Sequence, residues 1–184
     1  VVSKHGVGVD NIDLEAAKRH KVVVANAPGT NSQSVADMAL LLILASARGL
    51  STLLEQVKNK VWSSPFLGVE LEDKVLGIVG LGRIGKEVGK RGQGFGMKVI
   101  YYDPLVEDKE FVSVSLEDLF KRADFISLHA PLTKDTEKMV GEKLLSLMKE
   151  EAFLINTARG ELIDEEALYR FLQEKRIKGA ALDV

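Results

Sequence analysis

The chain of 184 residues contains no cysteine, so neither a disulfide framework nor a thiol nucleophile is open to it. Histidine is scarce, at three residues, His5, His20 and His129, and no metal site is expected. Neither sign of charge dominates: 25 basic against 27 acidic side chains leave a net charge of −2. Nucleic acid or an anionic membrane would therefore meet no complementary field, and neither is expected as a partner. Long apolar runs are missing too. The most hydrophobic stretch, residues 38–45, is far shorter than the ~20 residues needed to cross a bilayer and reads as a buried helix. No signal peptide is visible, and the expected location is cytoplasmic. The first residue is Val1 rather than methionine and the last residues lie in an apolar strand, so the expectation is a piece cut at both ends.

What is present is glycine in an informative order. Residues 74–79, Lys-Val-Leu-Gly-Ile-Val, form an apolar strand that runs into Gly80-Leu81-Gly82-Arg83-Ile84-Gly85 and then a helix. In this dinucleotide-binding turn Gly80 permits the tight bend, Gly82 leaves room for a pyrophosphate, and Gly85 lets the helix pack close to the strand. The helix N-terminus then presents N–H groups and partial positive charge to the phosphates. The next apolar run, residues 99–102, ends at Asp103, placed to accept hydrogen bonds from both hydroxyls of an adenosine ribose. No cation follows closely to receive a 2′-phosphate, so NAD is favoured over NADP. The competing reading makes Asp103 a plain turn cap before Pro104.

From Lys74 onward, strands at 75–79, 98–102, 125–129, 152–156 and 179–184 alternate with helices, two of them opened by Ser115 and Asp164 as caps. This predicts an α/β fold, a doubly wound parallel sheet of Rossmann type. Upstream, Asp13 should cap a first helix, residues 22–26 form a short strand, and a second helix should start at Ser32 or Ser34 and run from Val35 to about Arg48. That helix is apolar nearly all round, which suits burial at a joint between domains or subunits. Another helix is expected at 51–60, and Ser63-Ser64-Pro65 reads as a loop. The division expected is 1–29 as the remnant of a substrate domain and 30–184 as the interdomain helix with a dinucleotide-binding domain.

Ligands in such sheets bind beyond the carboxyl ends of the strands. The segments there are Gly80–Gly85, Asp103, His129-Ala130-Pro131, Asn156-Thr157-Ala158-Arg159-Gly160 and Asp183. Arg159 follows an apolar strand directly, and its planar guanidinium can bind a carboxylate through two parallel hydrogen bonds. The alternative is a surface arginine paired with Glu161 or Asp164.

With these motifs, and with Gly6-Val7-Gly8-Val9-Asp10-Asn11-Ile12-Asp13, Asn26-Ala27-Pro28-Gly29 and Ala180-Ala181-Leu182-Asp183-Val184, the chain resembles the D-isomer-specific 2-hydroxyacid dehydrogenases along nearly its whole length. The resemblance implies hydride transfer between C2 of a 2-hydroxy acid and the nicotinamide of NAD. It makes Arg159 the catalytic side chain that holds the substrate carboxylate and the C2 oxygen, with backbone N–H groups of Val7 and Gly8 on the other side. Gly80, Gly82, Arg83, Ile84 and Gly85 would meet the pyrophosphate, Asp103 the ribose, and Ala130, Pro131 and Thr136 the adenosine side. Thr157 and Ala158, with Arg159, would line the nicotinamide approach, and Asp183 would bind the carboxamide. His129 matches a cofactor-lining position rather than the family's base. That histidine and its glutamate belong after Asp183, so the 184 residues alone are expected to turn over little or nothing. A small 2-hydroxy or 2-oxo acid is the implied substrate, and a homodimer the implied assembly. Another class of reading is an NAD-sensing corepressor or interaction protein. Gly89, Gly92 and Gly94, inside the helix after the fingerprint, depart from the family's usual apolar residues.

Overall fold

The computed structural model describes residues 1–61 and 67–184; the loop expected at Ser63–Pro65 lies outside the described residues. Two parallel sheets organise the chain. The small one pairs β1 (Val2–Ser3) with β2 (Val24–Ala25), joined through α1 (Leu14–Arg19). Asp13 caps α1 by accepting from the Ala16 N–H at 2.8 Å.

The large sheet has six parallel strands in the order β5-β4-β3-β6-β7-β8: β3 (Val75–Val79), β4 (Lys98–Tyr102), β5 (Val112–Ser113), β6 (Phe125–Leu128), β7 (Phe153–Asn156) and β8 (Gly179–Leu182). Because β3 sends its successors to one side and β6–β8 grow on the other, strand order reverses beside β3. That reversal opens a crevice at the carboxyl ends of β3 and β6. The predicted doubly wound sheet is thus present, with β6 and β8 ending sooner and β7 starting one residue later than the apolar pattern suggested. Short β5 and the helical turn α6 (Glu142–Leu145) carry too few patterned residues to be read from sequence.

The central strands are continuously apolar because both faces are covered. On one face Leu76, Ile78, Val99, Tyr101, Phe125, Phe153 and Ile155 pack with α2 (Ser32–Ala47) and α4 (Arg83–Gly94). On the other, Val79, Ile100, Ile126, Leu128 and Leu154 pack with α5 (Leu116–Arg122) and α7 (Glu165–Gln173). Phe125 and Phe153 stack at 5.2 Å between ring centroids.

α2 begins at Ser32, one of the two serines expected to start it, with Asn31 at the cap position and no side-chain cap bond. Ser32, Ala36, Ala39, Ile43 and Ala47 are buried, Leu40, Leu42 and Leu44 pack half-buried against the same core, and Leu41 is exposed. Small residues on the buried stripe let α2 lie close to the sheet and to α4, leaving Leu41 on its outer side. α3 (Leu50–Lys58) follows after Gly49, whose φ of +58° supplies the left-handed break. No single helix among the described residues is long and apolar enough to cross a membrane.

Candidate active site at the carboxyl edge of the sheet

The turn after β3 is shaped by three absent side chains. Gly80 has φ +93°, and a Cβ there would stand 2.7 Å from the Ala130 nitrogen and 2.8 Å from the His129 carbonyl carbon. A Cβ on Gly85 would collide with the Gly80 carbonyl oxygen, so the first turn of α4 can rest on the fingerprint only as glycine. Gly82 differs: it is the cap position of α4, makes no side-chain cap bond, and a Cβ there would meet nothing within 4 Å. Open space in front of uncapped helical N–H groups suits an anion such as a pyrophosphate, so the residues fit the dinucleotide that the motif implies. Arg83 lies over the turn at Gly29, whose φ is +83°; a Cβ on Gly29 would stand 2.7 Å from Arg83 Nη1.

The helix glycines left without explanation by the sequence now divide. Gly89 faces the Phe111 ring and Gly92 faces Leu76, with would-be Cβ contacts of 2.7 and 2.6 Å, so both are required for α4 to approach the sheet. Gly94 borders open space and has no such reason.

Asp103 serves the local structure that the competing reading foresaw, and more. Its Oδ1 accepts from the Leu105 and Val106 N–H groups at 2.9 and 3.1 Å, capping the turn. Its Oδ2 accepts from the Leu81 N–H at 2.8 Å. The carboxylate is therefore oriented against the fingerprint turn by three backbone donors.

Across the crevice, a cleft of about 470 Å³ is bordered by Val7, Gly8, Ile84, Ala130, Pro131, Thr157, Ala158 and Arg159, together with Asp10, Asn31 and His129. Eight residues predicted for the site thus come together. Thr136 and Asp183 do not border this cleft. The Thr136 hydroxyl donates to the Pro131 carbonyl at 2.7 Å and so shapes the loop from behind. Asp183 is exposed just beyond β8, its N–H bound to the Asn156 carbonyl at 2.9 Å. Two buried polar atoms of the cleft wall, Asn31 Oδ1 and Thr157 Oγ1, have no protein partner among the described residues. Buried polar groups are normally hydrogen-bonded, so these atoms mark where a polar ligand would be received.

Arg159 is held from several directions. Asn156, fully buried at the end of β7, donates to the Arg159 carbonyl at 2.8 Å and accepts from the Ala158 N–H at 3.0 Å, bending the chain into the site. The guanidinium does not pair with Glu161 or Asp164. Instead Nε and Nη2 bond Oδ2 of Asp10 at 2.7 and 2.6 Å, while Nη1 donates to the Ala158 carbonyl at 2.6 Å. Both partners of this ion pair are about two-fifths exposed, so it contributes only about 0–1 kcal/mol to stability. A Cβ on Gly8 would overlap Arg159 Nη2. Asn26 fixes the same loop by donating to the Val7 carbonyl at 2.7 Å. Asp10, Asn26 and Asn156 were not given roles from sequence, because their partners lie far along the chain or on backbone atoms that no pattern displays.

His129 is packed into the wall, its Nε2 2.8 Å from Ser127 Oγ. Burial pushes its pKa down to about 4, so it is neutral at ordinary pH and structural rather than a proton carrier. His5 and His20 are exposed and do not border the cleft.

Residues 40–184 match the NAD-binding domain described for the D-isomer specific 2-hydroxyacid dehydrogenases. The chain belongs to this family. It is 48% identical over 191 residues to D-3-phosphoglycerate dehydrogenase of Methanocaldococcus jannaschii, a match that takes in all of this chain and 36% of that protein. It is 45% identical over 197 residues to glyoxylate reductase of Thermococcus litoralis, across all of this chain and 60% of that one. The crystal structure of D-lactate dehydrogenase from Aquifex aeolicus, complexed with NAD and lactic acid, superposes with a TM-score of 0.92 at 39% identity, covering 100% of this chain and 58% of that one. The chain thus spans between about a third and three fifths of the length of these relatives. The family's Rossmann domain for NAD accounts for the six-stranded sheet, its fingerprint and the uncapped start of α4.

Proposed function

We propose that this chain supplies the cofactor-binding and carboxylate-binding parts of an NAD-dependent oxidoreductase acting on a small D-2-hydroxy acid or its 2-oxo partner. The observation that carries the reading is Arg159, set at the end of β7 against Gly8 and bordering the same cleft as Ile84, Ala130 and Thr157. The bound dinucleotide would supply a hydride acceptor and donor at its nicotinamide C4. The chain's own residues do the rest of what can be assigned. The Gly80–Gly85 turn and the start of α4 hold the pyrophosphate, and Asp103 faces the adenosine ribose. Arg159 and the Val7 and Gly8 backbone hold the acid's carboxylate, and Arg159 stabilises negative charge on the C2 oxygen. None of the three histidines is placed to take the hydroxyl proton, since His129 is a half-buried, neutral wall residue beside Ser127 and the other two do not border the cleft. The relatives' names span phosphoglycerate, glyoxylate and lactate, and the substrate is proposed at that level of class.

A fluorescence titration of the chain with NADH, with NADPH in parallel, tests the reading. Saturable binding of NADH that is weaker for NADPH, with the difference reduced in Asp103→Ala, is expected. A folded chain that binds neither would refute the proposal.

A homodimer is proposed on a second observation. Leu41, Leu50, Leu53, Leu54 and Val57 are exposed along the outer side of α2 and α3, an apolar surface of the kind that a second copy covers. Light scattering at micromolar concentration should give twice the chain mass, and a monomer there would overturn it.

A further inference from the structure

We propose that Asp10 is a positioning residue for Arg159: it takes the inner edge of the guanidinium and so aims the outer edge at the carboxylate of the bound acid. The inference rests on reading Arg159 as the carboxylate-binding residue, and it concerns what makes that arginine competent.

Counting donors carries the argument. A guanidinium has five N–H bonds. Nε donates to Asp10 Oδ2 at 2.7 Å, Nη2 lies 2.6 Å from the same oxygen in the ion pair, and Nη1 donates back to the Ala158 carbonyl at 2.6 Å, so the Nε–Nη2 edge faces Asp10. The edge turned away from Asp10 carries one hydrogen of each terminal nitrogen. In a planar guanidinium these two lie side by side on the outer edge, the arrangement that grips a carboxylate with two parallel bonds. Asp10 thus leaves unused the pair of donors a substrate needs. Were Asp10 instead a stand-in for the substrate carboxylate, it would be expected on that outer edge.

The surroundings agree. The two partners are 149 positions apart, one on the loop after β1 and one at the end of β7. A Cβ on Gly8 would overlap Arg159 Nη2 and stand 2.8 Å from Asp10 Oδ2, so position 8 accommodates the pair only as glycine. The second acid of the same segment, Asp13, is consumed locally by capping α1. Asp10 makes no such local bond and reaches across the cleft. A half-exposed arginine without this partner would sample several rotamers, and ordering it would subtract from binding.

The test uses the chain with NADH bound and oxamate, a 2-oxo acid analogue, as probe. Oxamate affinity is read by fluorescence in the wild type, Asp10→Ala and Asp10→Asn. Asp10→Ala should weaken oxamate at least tenfold while leaving NADH affinity within twofold. Asp10→Asn keeps an acceptor for the inner edge and should restore oxamate to within threefold of wild type. If Asp10→Ala binds oxamate as well as or better than wild type, or if Asp10→Asn is as poor as Asp10→Ala, the positioning role is wrong while the proposed function stands. If the wild type binds NADH but not oxamate, both the carboxylate-site reading and this inference fall. Failure to bind NADH refutes the functional reading by itself.

Discussion

The phosphate turn after β3 and the arginine corner after β7 border one crevice but are built in opposite ways. The turn is contiguous: within six residues, glycines remove the side chains that would block a bend, a ligand and a helix, and the groups proposed to bind are backbone N–H donors. The corner is assembled from Gly8, Asp10, Asn26, Asn156 and Arg159, held by side-chain contacts between segments far apart. The turn should therefore fail through the fold, because a backbone carbonyl cannot move aside. The corner should fail in binding while the fold survives, because the far end of an arginine can.

The sharpest way to break the turn is Gly85→Ala, whose Cβ would press on the Gly80 carbonyl. A loss of about 3 kcal/mol in urea unfolding is expected, the upper end of overpacking costs, with NADH affinity falling at least ~tenfold. Unchanged stability would remove the contrast.

His129 tests the wall between the two regions. Its folded-state pKa of about 4 lies below the 6.5 of a free imidazole, so the unfolded chain binds the proton first as pH falls. The stabilisation from keeping it neutral is complete above about pH 6.5, is lost between there and pH 4, and amounts to about 3 kcal/mol at most. The wild type should lose more stability across this window than His129→Gln; parallel curves would contradict the neutral wall histidine.

Gly8→Ala addresses the corner. The new methyl group would displace the Arg159 and Asp10 side chains rather than backbone, so a stability change under about 1 kcal/mol is expected, together with oxamate binding weakened roughly tenfold or more. NADH binding should be unaffected, and a parallel loss of both ligands would show that the two regions are not separable.

The smallest effect belongs to Gly94→Ala, where nothing lies within 4 Å of the new Cβ. Replacing glycine near the end of α4 should stabilise by up to about 1 kcal/mol, in contrast to Gly89→Ala and Gly92→Ala, which meet Phe111 and Leu76 and should destabilise. Equal effects at all three positions would mean that α4 does not pack as described.

Much was legible because the relevant forces act over short spans of chain. Asp13, Ser115 and Asp164 cap their helices as predicted, since a side chain accepting from an N–H three residues on is a local event. The fingerprint glycines and the alternation of strands and helices were readable for the same reason. Asp103 was found and its turn-capping role foreseen as the competing reading, but its bond to the Leu81 N–H was not, because Leu81 approaches it only once β3 and β4 are paired. α2 was seen as a helix, but not which of its sides meets the sheet. Its sequence is apolar on most sides, and only docking on the sheet selects the stripe of Ser32, Ala36, Ala39, Ile43 and Ala47 as the buried one.

The sequence by itself determined the parallel α/β architecture, the turn that receives a dinucleotide and the identity of Arg159 as the cation beyond β7. Each depends on periodicity, backbone freedom or residue type within a few positions. Only the tertiary structure decided that Arg159 pairs with Asp10 rather than with the nearby Glu161 or Asp164, and that Gly8 must be bare to admit the pair. It also decided that Gly89 and Gly92 are needed while Gly94 is not. Those outcomes turn on distances between segments brought together by burying the sheet's two faces, and no local pattern encodes such distances.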